Sequence, residues 1–356
     1  MAGKITLKDI GRKLNLSSTT ISLALRDHPR ISAGTKERIR KLITEWKYEP
    51  DQVARALVMG RSNLIGVIVP NSSDPYYAEI FKGIEDGVRS ANCYALLCNG
   101  SYDLDGYAAR VKEMMSLRVG GILIAPPFKQ ERLIPHPFWE DLRHQNTPVV
   151  LINRRLNPAV FHQVSADYES GVRMVVETLA SLGHRRVAYI SGEPALLPIQ
   201  QRLAAFRRLA RKHGFDQDPS LLSRSVLTLG GGYDACERMW SGVSKKPSAI
   251  VTFSDSIAVG VLRFLQEKNV DVPEDVSLIS FDGIAFSEYT NPSISTVVTP
   301  MYEIGQKAFS LLQGTLKGDH KEPQNVVLPV KLVVRESVCR VRATQESAAR
   351  AGRSVD

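Results

Sequence analysis

Residues 6–25 decide the fold of the N-terminal part; they read TLKDIGRKLNLSSTTISLAL. Thr6 is placed to cap a first helix, with Asp9 three residues later as its capping-box partner. After a break at Asn15-Leu16, Ser17 is placed to cap a second helix, in which Ile21 and Leu25 are expected to face inward. Two short helices within about twenty residues, joined by a tight break, are typical of a helix–turn–helix motif that reads DNA.

A third helix is predicted after Ser32, because Ile39, Leu42, Ile43 and Trp46 form one apolar stripe.

The charge distribution supports this interpretation of the head. The 356 residues carry a net charge of +9, and residues 1–62, with 13 Lys and Arg against 6 Asp and Glu, hold +7 of it. A basic head on a nearly neutral body indicates a module that binds a polyanion. The alternative is a basic three-helix unit that binds protein.

Side chains near the start of the second helix of such a motif face the major groove. Hydroxyl groups reach phosphates and some base edges, whereas Leu23 can make only apolar contacts, for instance with a thymine methyl group. The DNA contacts predicted in this region are Ser17, Ser18, Thr19, Ser22, Leu23 and Arg26. The predicted phosphate contacts are Lys4, Lys8, Arg12, Lys13, Arg26, Arg30 and Arg38.

The rest of the chain alternates apolar runs with amphipathic segments. Near-continuous apolar strands between helices indicate parallel sheets that are covered on both faces. The predicted strands are Ile65–Val69, Tyr94–Cys98, Gly121–Ala125, Val149–Ile152, Val187–Ile190, Ser225–Leu229, Ala249–Phe253 and Val276–Phe281. About 270 residues are many for one core, so the pattern predicts two doubly wound α/β lobes with a cleft between them. The fold class is thus a small all-α head on an α/β body.

Composition excludes several classes of protein. A hydrophobic content of 43% is too high for a disordered chain, and no uninterrupted apolar run approaches the length of a membrane span. The N-terminus lacks the apolar core of a secretory signal. The four cysteines and seven histidines form no metal-binding motif and no disulfide framework. We therefore expect a protein of the reducing cytoplasm, with no membrane partner, metal or cofactor.

Several blocks of sequence, taken in order, identify a family. Thr6–Gly11, Ser17–Ser22, Arg30–Ser32 and Tyr48–Pro50 resemble the head of the lactose-repressor (LacI/GalR) family of bacterial transcription regulators. Further blocks that resemble this family are Ala54–Leu57, Gly60–Gly66, Leu182–Arg186, Val272–Ser277 and Ser280–Asp282. The resemblance covers about residues 4–340. It implies a regulator, by expectation a repressor, whose affinity for operator DNA is controlled by a small effector.

The resemblance also implies an organisation. A DNA-binding domain is expected over residues 1–49, a hinge helix and linker over 50–62, a two-lobed effector-binding and dimerisation domain over 63–340, and a disordered tail over 341–356. Two heads of a homodimer would read a pseudo-palindromic operator, and the tail shows no leucine heptad for assembly of a tetramer. The short helix predicted at residues 51–59 would fold on the operator, with Leu57 as a wedge in the minor groove. Thr6 and Ala54 complete the expected DNA contacts; the alternative for Leu57 is an ordinary apolar contact.

The body resembles periplasmic sugar-binding proteins of type I, in which the ligand lies between the lobes. Ligands in such sheets bind outside the carboxyl ends of the strands. The effector residues selected by this rule and by the resemblance are Ser73, Tyr76, Tyr77, Asn153, Arg202, Ser254 and Asp282. An acid, a base and aromatic faces suit a carbohydrate-like ligand.

Some of these assignments have alternatives. Asp282 could instead cap a turn, only one of the two tyrosines is expected to point into the cleft, and Asp255 is expected to cap a helix over 256–268. Apolar residues at Leu196, Leu197 and Leu227, and Gly283 in place of a second acid, argue against a standard hexose.

Two rival functions stay open from the sequence. Residues 230–235, GGGYDA, match the GxGxxA fingerprint of dinucleotide-binding enzymes, with Asp255 about twenty residues later. This would make the chain an NAD(P)-dependent enzyme with a fused DNA-binding head. The other rival is an architectural DNA-binding protein that needs no effector.

Overall fold

The computed structural model describes residues 5–25, 27–46, 48, 62–100, 103–126, 138–139, 142, 147–157, 159–192, 197–320 and 322–341. The chain divides into two compact units, residues 1–62 and 63–356. The predicted contacts Lys4, Arg26, Ala54 and Leu57, the predicted hinge helix, Leu196 and the predicted tail from residue 342 lie outside the described residues.

The head contains three helices, α1 (Leu7–Leu14), α2 (Ser18–Leu25) and α3 (Ala33–Glu45). Thr6 and Asp9 form the predicted capping box, in which the Thr6 hydroxyl donates to Asp9 Oδ2 at 2.6 Å. Ser17 Oγ accepts from the Thr20 amide at 3.0 Å and so caps α2. The buried core of the head consists of Ile10, Ile21, Ala24, Ile39, Leu42 and Tyr48. The expectation for Leu25 is wrong: it is 40% exposed, because Ala24 takes the inward position.

The body contains twelve strands in its described part. They are β1 (Leu64–Val69), β2 (Tyr94–Asn99), β3 (Gly121–Ile124), β4 (Val149–Ile152), β5 (His162–Ala166), β6 (Val187–Gly192), β7 (Leu222–Ser225), β8 (Ala249–Thr252), β9 (Ser277–Asp282), β10 (Ser295–Val298), β11 (Asn325–Leu328) and β12 (Lys331–Val333). The α-helices are α4 (Pro75–Ser90), α5 (Leu104–Ser116), α6 (Tyr168–Ser181), α7 (Leu197–Lys212), α8 (Leu229–Gly242), α9 (Asp255–Glu267) and α10 (Met301–Lys317). Short 3₁₀ turns lie at Pro219–Leu221 and Ala285–Glu288.

These strands form two sheets of six. The first lobe has the order β11-β5-β4-β3-β1-β2 and is parallel throughout. The second has the order β12-β10-β9-β8-β6-β7 and is parallel except for the edge strand β12. The predicted fold class, a helical head followed along the chain by two parallel-sheet lobes, is confirmed.

The chain passes between the lobes three times, after β5, after β10 and after β11. After β5 it enters α6, whose Gly171 faces Val297 and Phe281 of the second lobe. After β10 it enters α10, which packs on β3, β4 and β5 of the first lobe. The crossings place the carboxyl ends of both sets of strands on either side of one cleft.

Helices α4 and α10 pack in the first lobe with their backbones in contact. A Cβ atom on Gly83 would lie 2.0 Å from the Tyr302 carbonyl oxygen, and one on Gly305 would lie 2.0 Å from the Ile80 carbonyl oxygen. Neither position has room for a side chain, so this pair of glycines fixes the separation of the two helices.

The predicted strand over 225–229 is wrong. Strand β7 ends at Ser225, and Thr228 caps α8 by accepting from the Gly231 amide at 3.0 Å. Strands β5, β10, β11 and β12 were not predicted, because each is five residues long or shorter and contains at least one polar residue.

Candidate functional site

The head places the predicted DNA contacts of the described part on its surface. Ser17, Ser18 and Thr19 are exposed at the start of α2, and Ser22 and Leu23 are half-buried one turn later. Thr6 is exposed, but its hydroxyl is engaged in the capping box. Five further cations of the head are exposed, and none has an ion-pair partner among the described residues: Lys8, Lys13, Arg30, Arg38 and Lys41. Exposed cations of this kind are suited to bind a phosphate backbone.

The body contains a small cavity between the two lobes, with a volume of about 50 Å³. Its lining comes from both lobes: Asp74, Tyr76, Tyr77, Asn153 and Arg154 from the first, and Pro198, Ile199, Arg202, Leu227, Phe253, Ser254, Ser256 and Asp282 from the second. We call it the cleft cavity. It lies beyond the carboxyl ends of strands from both sheets, where ligands of α/β folds bind.

Arg202 is the central cation of the cleft cavity. Helix α7 carries it, and it is only 3% exposed. Its guanidinium lies 3.9 Å from the centre of the Tyr168 ring and 4.4 Å from that of Phe253, and Nη1 donates to the Phe253 carbonyl at 2.9 Å. Its Nε has no hydrogen-bond partner within the described residues. A buried guanidinium between aromatic rings, with a free donor, is suited to bind an oxygen-rich ligand.

Asp282 faces Arg202 at 4.0 Å from Nη1 and is 7% exposed. Burial raises the pKa of the Asp282 carboxyl well above its usual range, and the Arg202 charge opposes this shift. Its backbone φ of 108° lies outside the regions that L-residues prefer. The alternative that Asp282 caps a turn gains no support, because its side chain makes no hydrogen bond to a described backbone amide.

Asp255 holds the turn that follows Asp282. It is fully buried and accepts hydrogen bonds from the amides of Gly283 at 2.8 Å and Ile284 at 2.9 Å, and from the Thr296 hydroxyl at 2.7 Å. Burial raises the pKa of Asp255 to about 6. The expectation that Asp255 caps the next helix is wrong, since Ser254 Oγ accepts from the Ile257 amide and caps α9.

Two tyrosines join the lobes at the cleft cavity. The Tyr168 hydroxyl donates to Asn153 Oδ1 at 2.5 Å and lies 2.6 Å from the Tyr76 hydroxyl. Because the proton of Tyr168 is directed to Asn153, Tyr76 donates to Tyr168. Tyr76 is buried, and burial raises its pKa well above the usual range.

The structure brings six of the seven predicted effector residues to one cavity: Tyr76, Tyr77, Asn153, Arg202, Ser254 and Asp282. The interpretation that only one tyrosine reaches the cleft is wrong, because both line the cavity. Ser73 does not reach it; it is exposed, and its amide donates to Asn71 Oδ1 in the turn before α4. Sequence reasoning missed Asp74 and Tyr168, whose only signals are their positions at the starts of α4 and α6.

The glycine run at residues 230–232 serves helix packing. It lies in the first turn of α8, where a Cβ on Gly232 would lie 2.2 Å from the Ile257 carbonyl oxygen of α9. The strand-to-helix turn that a dinucleotide fingerprint requires lies elsewhere, since β7 ends at Ser225.

Comparison with known protein families gives two matches. Residues 6–51 match the model described as bacterial regulatory proteins, lacI family, and residues 176–338 match a periplasmic binding protein-like domain. The chain belongs to the lacI family of bacterial regulatory proteins. It is a DNA-binding transcriptional regulator with a periplasmic-binding-protein-like effector domain.

Similar proteins support this assignment over the full length. Catabolite control protein A of Priestia megaterium is 28% identical over 336 residues, which cover 94% of this chain and 99% of the relative. The transcriptional repressor CytR of Escherichia coli K12 is 27% identical, covering 93% and 96% of the two chains. These relatives are transcriptional regulators rather than enzymes.

Solved structures share the fold. The Lac repressor dimer bound to operator and the anti-inducer ONPF aligns with a TM-score of 0.83 at 21% identity, covering 95% of this chain and all of that one. A lacI-family regulator from Enterococcus faecium with bound ribose aligns with a TM-score of 0.69 at 25% identity, covering 78% of this chain and all of that one. Among the helices in the described part of the chain, none is long and apolar enough to cross a membrane.

Proposed function

We propose that this regulator acts as a homodimer on a pseudo-palindromic operator, and that a sugar or sugar derivative in the cleft cavity sets its affinity for DNA. It would act as a repressor in the bacterial cytoplasm, at the nucleoid. The observation that carries the proposal is the buried pair Arg202 and Asp282, which face each other across a cavity lined by both lobes. The lining adds the polar side chains of Asp74, Asn153, Arg154, Ser254 and Ser256 and several aromatic rings, and this mixture suits a ligand with many hydroxyl groups.

The volume of the cleft cavity implies that the lobes move. A small-molecule pocket typically holds about 300–1,000 Å³, whereas the cleft cavity holds about 50 Å³. A sugar therefore needs a wider separation of the lobes than the one described. We infer that the ligand changes the angle between the lobes, and that this change reaches the paired heads through residues 50–62.

The relatives support the choice of ligand class. The Enterococcus faecium regulator was solved with ribose, which is a polyhydroxylated small molecule. In this chain Leu227 and Ile199 line the cleft cavity beside the polar anchors, so one face of the ligand should be apolar. A pentose, a deoxysugar, a nucleoside or a sugar acid fits this mixture better than a fully hydroxylated hexose.

A thermal-shift screen of the full-length protein with sugars, sugar acids, nucleosides and phosphosugars tests the proposal. A ligand that binds the cleft cavity raises the melting temperature of the wild type. Asp282→Asn should weaken binding of this ligand about tenfold to a hundredfold, because a charge-assisted hydrogen bond is lost. Asp234→Asn, which removes an exposed carboxyl on α8, is the matched control and should leave the shift unchanged. If no compound shifts the wild type, the effector-independent architectural protein is the better account.

A further inference from the structure

A second, much larger cavity lies beside the cleft cavity, with a volume of about 670 Å³. The first lobe contributes Arg155, Asn157, Gln163 and Ser165 to its lining, and α7 of the second lobe contributes Gln201 and Arg208. We call it the lateral cavity. Four residues line both cavities: Asn153, Arg154, Pro198 and Arg202. Tyr168 lines the lateral cavity, and its hydroxyl is hydrogen-bonded to that of Tyr76, which lines the cleft cavity.

The lateral cavity has the size of a ligand site in the arrangement of lobes that the structure shows. Small-molecule pockets typically hold about 300–1,000 Å³. No widening of the lobes is needed to fill it, in contrast to the cleft cavity. A ligand placed there would contact residues of both lobes at once.

The charges of the lateral cavity favour an anion. Four arginines line it, Arg154, Arg155, Arg202 and Arg208, against the two acids Asp167 and Glu169. Both acids are engaged: Asp167 accepts from the Ser170 amide and hydroxyl and caps α6, and Glu169 pairs with Arg208 at 2.7 Å. Arg154 is 3% exposed and donates only to the carbonyl oxygens of Pro126 and Asn153 in its described hydrogen bonds. Even with Asp282, which lies 4.0 Å from Arg202, counted as a third acid, positive charge exceeds negative charge here.

Two buried polar atoms have no hydrogen-bond partner among the described residues. They are Ser165 Oγ, whose residue lines the lateral cavity alone, and Arg202 Nε, whose residue lines both cavities; each residue is 3% exposed. Leaving a buried polar group without a partner costs free energy, so such groups mark places where a ligand can supply the missing partner. The amides of Asn157 and Asn325 add groups that can bond hydroxyls.

We propose that the lateral cavity is a second regulatory site, which binds a small hydroxylated anion, a sugar phosphate or a sugar acid. The arginines bind the phosphate or carboxylate oxygens, and the amide side chains bind the hydroxyl groups. Because its walls come from both lobes, the bound anion holds the lobes at their present separation. The lateral cavity shares Asn153, Arg154, Pro198 and Arg202 with the cleft cavity, and it adds the cations Arg155 and Arg208, which the cleft cavity lacks. Binding of the anion therefore does not depend on the proposed sugar site.

Calorimetric titration of the full-length protein with glucose 6-phosphate and with gluconate tests the site, with glucose as the neutral comparison. At least one of the two anions should bind saturably and more tightly than glucose, and which one binds identifies the oxyanion. Arg155→Gln should weaken it about tenfold, because one charge-assisted contact is lost. Arg155 is exposed, so this variant should fold. Arg211→Gln, on an exposed residue of the same helix α7 outside the cavity, should bind as the wild type does.

The Leu227→Phe variant distinguishes binding in the lateral cavity from binding in the cleft cavity, because Leu227 lines only the cleft cavity. The anion should bind this variant with wild-type affinity. The proposal is overturned if neither anion binds, if Arg155→Gln binds as tightly as the wild type, or if Leu227→Phe abolishes binding. Operator binding by the same protein samples reports separately on the proposed function.

Discussion

At the scale of single residues, Asp255 shows how a buried acid outside the cleft lining shapes the cleft cavity. Its carboxylate fixes the Gly283–Ile284 turn, and this turn directs Asp282 toward Arg202. Three hydrogen bonds partly offset the cost of burial, yet burial still raises the pKa of Asp255 from 3.8 to about 6. An acid with a raised pKa binds its proton more tightly in the folded than in the unfolded chain, so stability falls as pH rises through this range.

The Asp255→Asn variant tests this linkage. The wild type should lose stability between about pH 4 and pH 6 because Asp255 must ionise in a buried site, whereas the variant lacks this loss. The free energy of unfolding of the variant should therefore rise relative to the wild type by on the order of 3 kcal/mol between pH 4 and pH 7. Urea unfolding at several pH values measures the difference. Parallel curves for the two proteins would contradict the assignment, and Asp234→Asn should run parallel to the wild type.

Residue types after the strands predicted most of the cleft cavity, since position and chemistry both selected Asn153, Ser254 and Asp282. The role of Asp255 could not be predicted in this way. Its partners Gly283, Ile284 and Thr296 lie 28 to 41 residues further along the chain, and only the folded sheet brings them together. Ser73 was selected by its place after β1, but the turn before α4 directs it to solvent.

At the scale of elements, glycine contacts between helices hold the first lobe together. Gly83→Ala and Gly305→Ala should each destabilise the protein by about 1–3 kcal/mol, because a methyl group would force α4 and α10 apart. Gly230→Ala is a matched control, since a Cβ there meets no atom within 4 Å. Denaturant unfolding measures the effect. Equal stability of all three variants would show that the close contact between α4 and α10 does not contribute to stability.

Two substitutions at the start of α2 should distinguish an effect on stability from an effect on DNA binding. Ser17→Ala should cost about 1 kcal/mol of head stability, because it removes the cap. Thr19→Ala removes an exposed hydroxyl, so it should leave stability unchanged and weaken operator binding about fivefold. Thermal unfolding and operator titration of both variants check the division. A Thr19→Ala variant with unchanged operator affinity would remove this residue from the DNA contacts.

Helices were predicted more reliably than strands for a physical reason. Caps such as Thr6, Ser17 and Ser32 act within three residues, so the sequence alone reveals them. Strands β11 and β12 are short edge strands, and their place depends on the pairing of β11 with β5 and of β12 with β10. The false strand at 225–229 arose because the apolar residues Val226, Leu227 and Leu229 lead into a helix instead.

At the scale of the whole molecule, the chain crosses three times between the two lobes of the body, and the proposed mechanism is a change in the angle between these lobes. The basic head carries most of the net charge, and the nearly neutral body carries the cavities. The family resemblance in the sequence already indicated this division of labour. The identity of the effector could not be predicted, because it depends on a cavity assembled from residues 74 to 282.

Coupling between the cleft and the operator is the central claim, and one titration tests it directly. Operator affinity of the full-length protein is measured by fluorescence anisotropy, on a duplex selected in vitro, with and without the compound found in the thermal-shift screen. The ligand should change the affinity by about 5- to 150-fold, and the operator should change ligand affinity by the same factor. Asp282→Asn should need about tenfold to a hundredfold more ligand to reach the same change. An operator affinity that is identical with and without saturating ligand would contradict the account.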